Sequence, residues 1–151
     1  MKGLKMQSKF EAAATPLPDV TDKELAGYWE GTLAGELRVQ KCLSCGNLRW
    51  PPRAACAQCQ SFESEWEALP QQGELFTWTV VNQTSLEGFS ELAPYADILI
   101  QLDGVPVRML GYTEADPSTL VAGERFRAKF VRKSDAVVLP IWERVPAGAA
   151  K

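Results

Sequence analysis

Four cysteines in two short pairs constrain this chain more than any other feature. They read Cys42-Leu43-Ser44-Cys45 and, after ten intervening residues, Cys56-Ala57-Gln58-Cys59. A CxxC on a tight turn lets two thiolates share one ion, and two such turns close a tetrahedral four-sulfur site. Zn²⁺ held by four thiolates has no open position, so such a site stiffens the structure and does not activate water. The sequence contains no histidine, which excludes mixed Cys/His ligation. Structural zinc is the expected cofactor. Iron is the alternative, because four thiolates also suit a single iron or an iron–sulfur cluster. Two disulfides or a redox CxxC rank last. A thioredoxin-type CxxC opens a helix in a βαβ unit, and no βαβ pattern surrounds these pairs.

The chain has 151 residues, enough for one or two small domains. At 46% hydrophobic and 23% charged it reads as globular. A formal charge of −3 argues against nucleic-acid binding driven by backbone charge. No apolar run approaches the roughly 20 residues of a membrane span. Met1 to Phe10 carries lysines but no apolar core, unlike a secretory signal. Metal-type cysteine spacing without such a signal leads us to expect a reducing, cytoplasmic setting.

Four segments are expected: an N-terminal arm and helix over 1–36, a four-cysteine ribbon over 37–71, a barrel over 72–146 and a tail over 147–151. The arm, with Thr15-Pro16-Leu17-Pro18, cannot be helical throughout. It is expected to be extended, and disordered or pinned to a partner. Thr21 and Glu24 form a capping-box pattern. The helix it opens carries Leu25, Tyr28, Trp29 and Leu33 on one face. Gly27 and Gly31 interrupt it, and Gly35 is placed to end it. Leu37 to Lys41 alternates and runs into Cys42, which makes it the first ribbon strand. Phe62 to Glu67 alternates again, with Phe62, Ser64 and Trp66 on one face, and leaves the ribbon. Pro70-Gln71-Gln72-Gly73 is a turn cluster at the junction.

From Gly73 onward the chain is strand-like. The runs are Glu74 to Asn82, Ala96 to Leu102, Val105 to Thr113, Glu124 to Lys133 and Val137 to Glu143. Asp116-Pro117 starts a single helical turn between the third and fourth runs. Five strands with a helical link at that point have the order of an OB-fold barrel. The fold class is therefore mainly β with an N-terminal helix, a rubredoxin-like four-cysteine ribbon and a five-stranded barrel.

No catalytic set emerges. The cysteines are committed to metal, no serine lies in a GxSxG elbow, and neither a GxGxxG nor a P-loop pattern occurs. The candidates are binding residues. Tyr28, Trp29, Trp50, Phe89 and Tyr95 are candidate partner or ligand contacts, against the plainer reading that they pack within the chain. Arg125, Arg127 and Lys129 alternate on the fourth barrel strand, opposite Phe126, Ala128 and Phe130. They form either a solvated face, a strip for CoA phosphates or a single-stranded nucleic-acid strip.

Several stretches resemble a known bacterial and archaeal family. They are Tyr28-Trp29-Glu30-Gly31, Gln40 to Gly46, Pro52 to Cys59, Ala93-Pro94-Tyr95 and Leu120 to Glu124. The family is the zinc-ribbon/OB-fold acyl-CoA-associated family, long catalogued as a domain of unknown function. The resemblance covers about residues 21 to 145. It implies a small, non-catalytic partner subunit of a thiolase-superfamily enzyme, as in the small subunit of benzoylsuccinyl-CoA thiolase. It also implies a hetero-oligomer in which the barrel lines part of a passage for CoA or acyl-CoA. Many ribbons of the family have Pro after the third cysteine where this chain has Ala57. The alternative function is that of an OB-fold protein for single-stranded nucleic acid.

Overall fold

The computed structural model describes residues 8–146. The expected tail at 147–151 and the first seven residues of the arm lie outside them. A four-residue helix, α1 (Lys9–Ala12), leads to an extended run and then to α2 (Ala26–Leu33). The ribbon sheet follows: β1 (Leu37–Cys42), β2 (Leu48–Arg49) and β3 (Ser64–Leu69), in the order β2-β1-β3. The barrel comprises β4 (Gln72–Val81), β5 (Tyr95–Leu102), β6 (Arg108–Thr113), β7 (Arg125–Arg132) and β8 (Val138–Arg144). It closes in the order β4-β5-β6-β8-β7, and a 3₁₀ turn, Pro117–Thr119, links β6 to β7. This is the five-stranded barrel expected from the alternation of apolar residues.

The alternation sorts the barrel cleanly. Ile98, Ile100 and Leu102 on β5 and Phe126 on β7 point inward and are fully buried. Closure rests on a single parallel pair, Thr113 with Trp142, reinforced by Thr113 Oγ1 donating to the Trp142 carbonyl at 2.7 Å. Pro140 lies in β8, beyond that pair on the side facing β6, where its missing N–H costs no ladder bond. The Asp116 side chain accepts from Ser118 N and starts the 3₁₀ turn as its sequence suggested.

Ribbon and barrel share one hydrophobic core. Leu37 and Val39 of β1 and Leu69 of β3 belong to the same buried cluster as Ile98, Ile100 and Phe126. Fully burying one such side chain is worth about 1.5–3 kcal/mol, so the junction at Pro70–Gln71 separates two sheets without separating two cores.

Three local expectations are corrected. The capping box does not form: Thr21 donates its N–H and hydroxyl to Asp19, and Glu24 N donates to Asp22, so the helix starts only at Ala26 with no side-chain cap. Short acidic side chains close their own turns here and take the donors a helix would use. The helix also does not pack on its large residues alone. Leu33 is exposed, whereas Gly27, Gly31 and Thr32 are buried. A Cβ at Gly27 would overlap the Trp66 ring, and one at Gly31 would meet Arg38 Cγ at 2.8 Å. The two glycines are thus the contact face, and the cost of Gly in a helix is offset by close approach to β1 and β3. Finally, Phe62 does not share a packed face with Trp66. The strand begins at Ser64, and Phe62 is 77% exposed.

Gly35 ends α2 as expected. It has φ 75°, its N–H bonds the Thr32 carbonyl, and the Glu36 N–H bonds the Gly31 carbonyl at 2.8 Å, a Schellman closure. The start of the described arm is held by this chain itself. Phe10 is buried and stacks on Tyr112 at 4.7 Å. Glu114 accepts from Phe10 N, and the Lys133 ammonium donates to the carbonyls of Phe10 and Ala13.

Candidate functional site

The two cysteine pairs sit on matching turns. In the first, Cys42 N donates to Asn47 O and Gly46 N donates to Cys42 O, both at 2.9 Å. In the second, Cys56 N donates to Ser61 O and Gln60 N donates to Cys56 O, again at 2.9 Å. Both turns need a left-handed residue after the second cysteine. Gly46 supplies it at φ 73°, and Gln60 adopts it at φ 62° despite its side chain.

These turns bring four sulfurs together. All four Sγ atoms lie within 4.8 Å of one another, with Cys42–Cys59 at 3.5 Å and Cys45–Cys56 at 3.7 Å. A tetrahedron with Zn–S bonds of about 2.3 Å has edges of about 3.8 Å, so the donor set fits such an ion. Burial opposes ionisation of Cys42, but the N–H groups of Cys45 and Ser44 and the neighbouring thiols outweigh it and bring the thiol down to about 6. The Cys59 and Gln58 N–H groups lower Cys56 in the same way. Cys45 moves the other way, to about 12: the Asn47 N–H favours its thiolate, yet the thiols of Cys59, Cys56 and Cys42, together with burial, outweigh that. Four thiolates this close need a cation among them.

Arg49, which sequence reasoning missed, supports the ribbon from beneath. Its residue is buried, and its guanidinium donates to the carbonyls of Arg53, Ala54 and Glu63, at 3.1, 3.3 and 2.7 Å. It therefore ties the loop between the pairs to the start of β3. The Gln40 side chain adds a bond from Arg53 N at 2.9 Å. A basic residue two positions into a Leu48-Arg49-Trp50 run carries no local sign of burial.

The aromatic candidates form two groups. Tyr28 contacts Trp29 at 4.9 Å and Trp50 at 5.0 Å, where α2 meets the ribbon loop. Burial pushes the Tyr28 hydroxyl up to about 12. The Trp29 indole N–H is buried without a hydrogen-bond partner among the described residues. Phe89 contacts Tyr95 at 5.8 Å, and Tyr95 contacts Tyr112 at 5.5 Å. Tyr95 is itself buried, in the second cluster with Phe10 and Tyr112.

The cations of β7 are not a free strip. Arg125 forks onto the Asp103 carboxylate and lies 3.9 Å from Glu74, and Arg127 pairs with Glu143 at 2.8 Å. Lys129 makes no ion pair among the described residues and lines cavities with Glu114 and Ala115. The Arg125 hydrogen bond holds the Asp103 carboxyl below its ordinary value. A carboxyl lowered in the fold stabilises it above the unfolded pKa of about 4 and loses that contribution as pH falls through the folded value. Wild type is therefore expected to lose more melting temperature than Asp103→Asn between pH 6 and 3. The groups are 36% and 43% exposed, so the difference is below about 1 kcal/mol. Parallel pH profiles of the two proteins would refute the contribution.

Comparison with known proteins matches this arrangement along its length. Residues 29–65 match the family model described as ChsH2, rubredoxin-like zinc ribbon domain. Residues 66–131 match the model described as ChsH2, C-terminal OB-fold domain. The chain belongs to this zinc-ribbon and OB-fold family. Among its relatives is the 3-oxo-4,17-pregnadiene-20-carboxyl-CoA hydratase alpha subunit of Mycobacterium tuberculosis, 31% identical over 136 residues. That match takes in 82% of this chain and 42% of the relative, so the chain spans less than half of it. A DUF35 domain-containing scaffold protein of Methanothermobacter thermautotrophicus is 27% identical over 96 residues, 62% of this chain and 71% of that protein. In fold, the chain is similar to a solved structure called the Ltp2-ChsH2(DUF35) aldolase, at TM-score 0.74 and 21% identity, covering 85% of this chain and 98% of that one. The family thus has relatives named as subunits of acyl-CoA enzymes and others named as scaffolds.

Proposed function

We propose that the chain is a non-catalytic accessory subunit of an acyl-CoA-processing complex, and that its partner is a thiolase-superfamily enzyme. One observation carries this reading. The one cluster of nucleophiles among the described residues is the four cysteines, crowded within 4.8 Å of one another and suited to a closed metal site, and the sequence has no histidine to serve as a base. The acyl-CoA chemistry named for relatives therefore calls for residues from outside this stretch of chain, which the proposal places on the partner. The closed ribbon holds α2 and the barrel in one body, which suits a scaffold. Reduced, metal-binding cysteines agree with a cytoplasmic complex.

Contact with CoA is the finer part of the proposal. Arg125 and Arg127 already hold carboxylates, so a CoA phosphate would compete with Asp103 or Glu143 there. Lys129 is the cation of the strip left for a phosphate. Paired arginines also leave the nucleic-acid reading without a specific observation in its favour.

The test is reconstitution. The isolated chain is expected to turn over no acyl-CoA, whereas the complex with its large partner does. Trp29→Ala is expected to weaken assembly by about 2 kcal/mol if Trp29 is a hot spot. Thiolytic activity from this chain alone, or full activity of the partner without it, would show the proposal wrong.

A further inference from the structure

One cleft on the outer barrel surface is not explained by the metal or by the core. Its volume is about 390 Å³, and its walls are Phe10 of the arm, Tyr28 of α2, Phe89 of the β4–β5 loop, Tyr95 of β5 and Tyr112 of β6. Asp97 of β5 projects into it, paired in register with Tyr112 on one side and Thr79 on the other. Leu86 and Leu110 form its rim and are 50% and 68% exposed. The cleft thus joins both aromatic groups across the gap between α2 and the arm.

Asp97 is the odd residue in this surround. Among the described residues its carboxylate has no ion pair, and burial alone acts on it, raising its pKa. The charged groups beside the lining rings do not balance it. Glu114, at the end of β6, adds negative charge beside Tyr112. Lys133 lies over the Phe10 ring at 4.8 Å, and its ammonium is spent on the arm's carbonyls. A half-buried carboxylate among ring faces is costly unless a cation meets it. Phe10, Tyr95 and Tyr112 are at most 8% exposed and pack on one another, so the accessible aromatic surface is that of Tyr28 and Phe89, and an aromatic π-system and a carboxylate favour the same charge.

We propose that this cleft receives one basic side chain, an arginine or a lysine, projecting from the partner subunit. The inference rests on the partner reading above and assigns the surface that does the docking. A guanidinium suits it well, because its plane stacks on rings while its edge forks onto a carboxylate. The apolar rim of Leu86 and Leu110 would close around the aliphatic stem and exclude water from the pair. Three residues singled out as partner contacts, Tyr28, Phe89 and Tyr95, line this one site, whereas Trp29 and Trp50 lie outside it.

The test compares assembly of the full chain with its large partner for wild type, Asp97→Asn and Leu110→Glu, across a salt series. Zinc content and melting temperature establish that each variant is folded. Asp97→Asn keeps the shape and removes the charge. It is expected to raise the dissociation constant at least tenfold at low salt and to flatten its salt dependence. Leu110→Glu is expected to weaken binding as well, by disrupting the rim. Unchanged or tighter assembly of Asp97→Asn overturns the inference, and if Leu110→Glu alone abolishes binding the occupant is apolar. Those results leave the partner reading intact. If wild type captures no large subunit, the partner reading fails and this inference falls with it.

Discussion

Replacing Cys42 by Ser is expected to abolish metal loading and to unfold the ribbon over residues 37–69. The four sulfurs lie within 4.8 Å of one another, and thiolates that close repel, so the ion is what makes their proximity favourable. Metal binding there is coupled to folding, and structural zinc contributes about 10–16 kcal/mol of apparent binding free energy in small zinc-finger peptides. Removing one thiolate forfeits much of that, which makes this the largest single-residue effect available in the chain. Elemental analysis should fall from about one zinc per chain to near none, and hydrogen exchange should show lost protection in β1 and β3. X-ray absorption on wild type should report four sulfurs around zinc. Wild type purified without metal, or Cys42→Ser retaining stoichiometric metal in a protected ribbon, would refute the site. Iron in place of zinc would retain the four-thiolate site and change its ion.

Arg49→Ala should give the second-largest loss, about 3 kcal/mol or more. The side chain is buried and serves three carbonyls from two segments, so truncation removes three charge-assisted bonds and empties the space beneath the ribbon, with the Leu43 N–H left to the Glu63 carbonyl. Hydrogen bonds from a charged donor are each worth about 1.5–3 kcal/mol, and unsatisfied buried groups add their own penalty. Denaturant unfolding followed by tryptophan fluorescence and circular dichroism would measure it. Lysine at the same position should restore little, because one ammonium cannot reproduce a fork that reaches Arg53, Ala54 and Glu63 together. A loss under about 1 kcal/mol for Arg49→Ala would mean that water can replace the guanidinium.

What was legible in the sequence was local or periodic. The metal site depends on two four-residue turns, and the barrel on alternation that survives into Ile98, Ile100 and Leu102. The Schellman end at Gly35 and the Asp116 cap were legible for the same reason. The rest depended on distant partners. The burial of Phe10 needs Tyr112, Glu114 and Lys133, each more than a hundred residues away. The face of α2 was misread because a search for apolar periodicity counts side chains, and this helix docks on Trp66 through a missing one. The alternation of Arg125, Arg127 and Lys129 was right, but nothing in that spacing announces Asp103 or Glu143 across the strand ends. The charge of Asp97 became meaningful only when the fold put aromatic rings from five parts of the chain around it.

The shared core has a thermodynamic corollary. Leu37 and Val39 leave the barrel interior along β1 and arrive, a few residues later, at Cys42. Trp66, on the strand beside it, carries α2 through Gly27, and α2 presents Tyr28 to the cleft. An ion at the ribbon tip and a ligand in the cleft are therefore joined by packed elements, and whatever bias one exerts on the other is by linkage returned in equal measure. A chelator would then behave as a remote antagonist of docking without touching the docking surface.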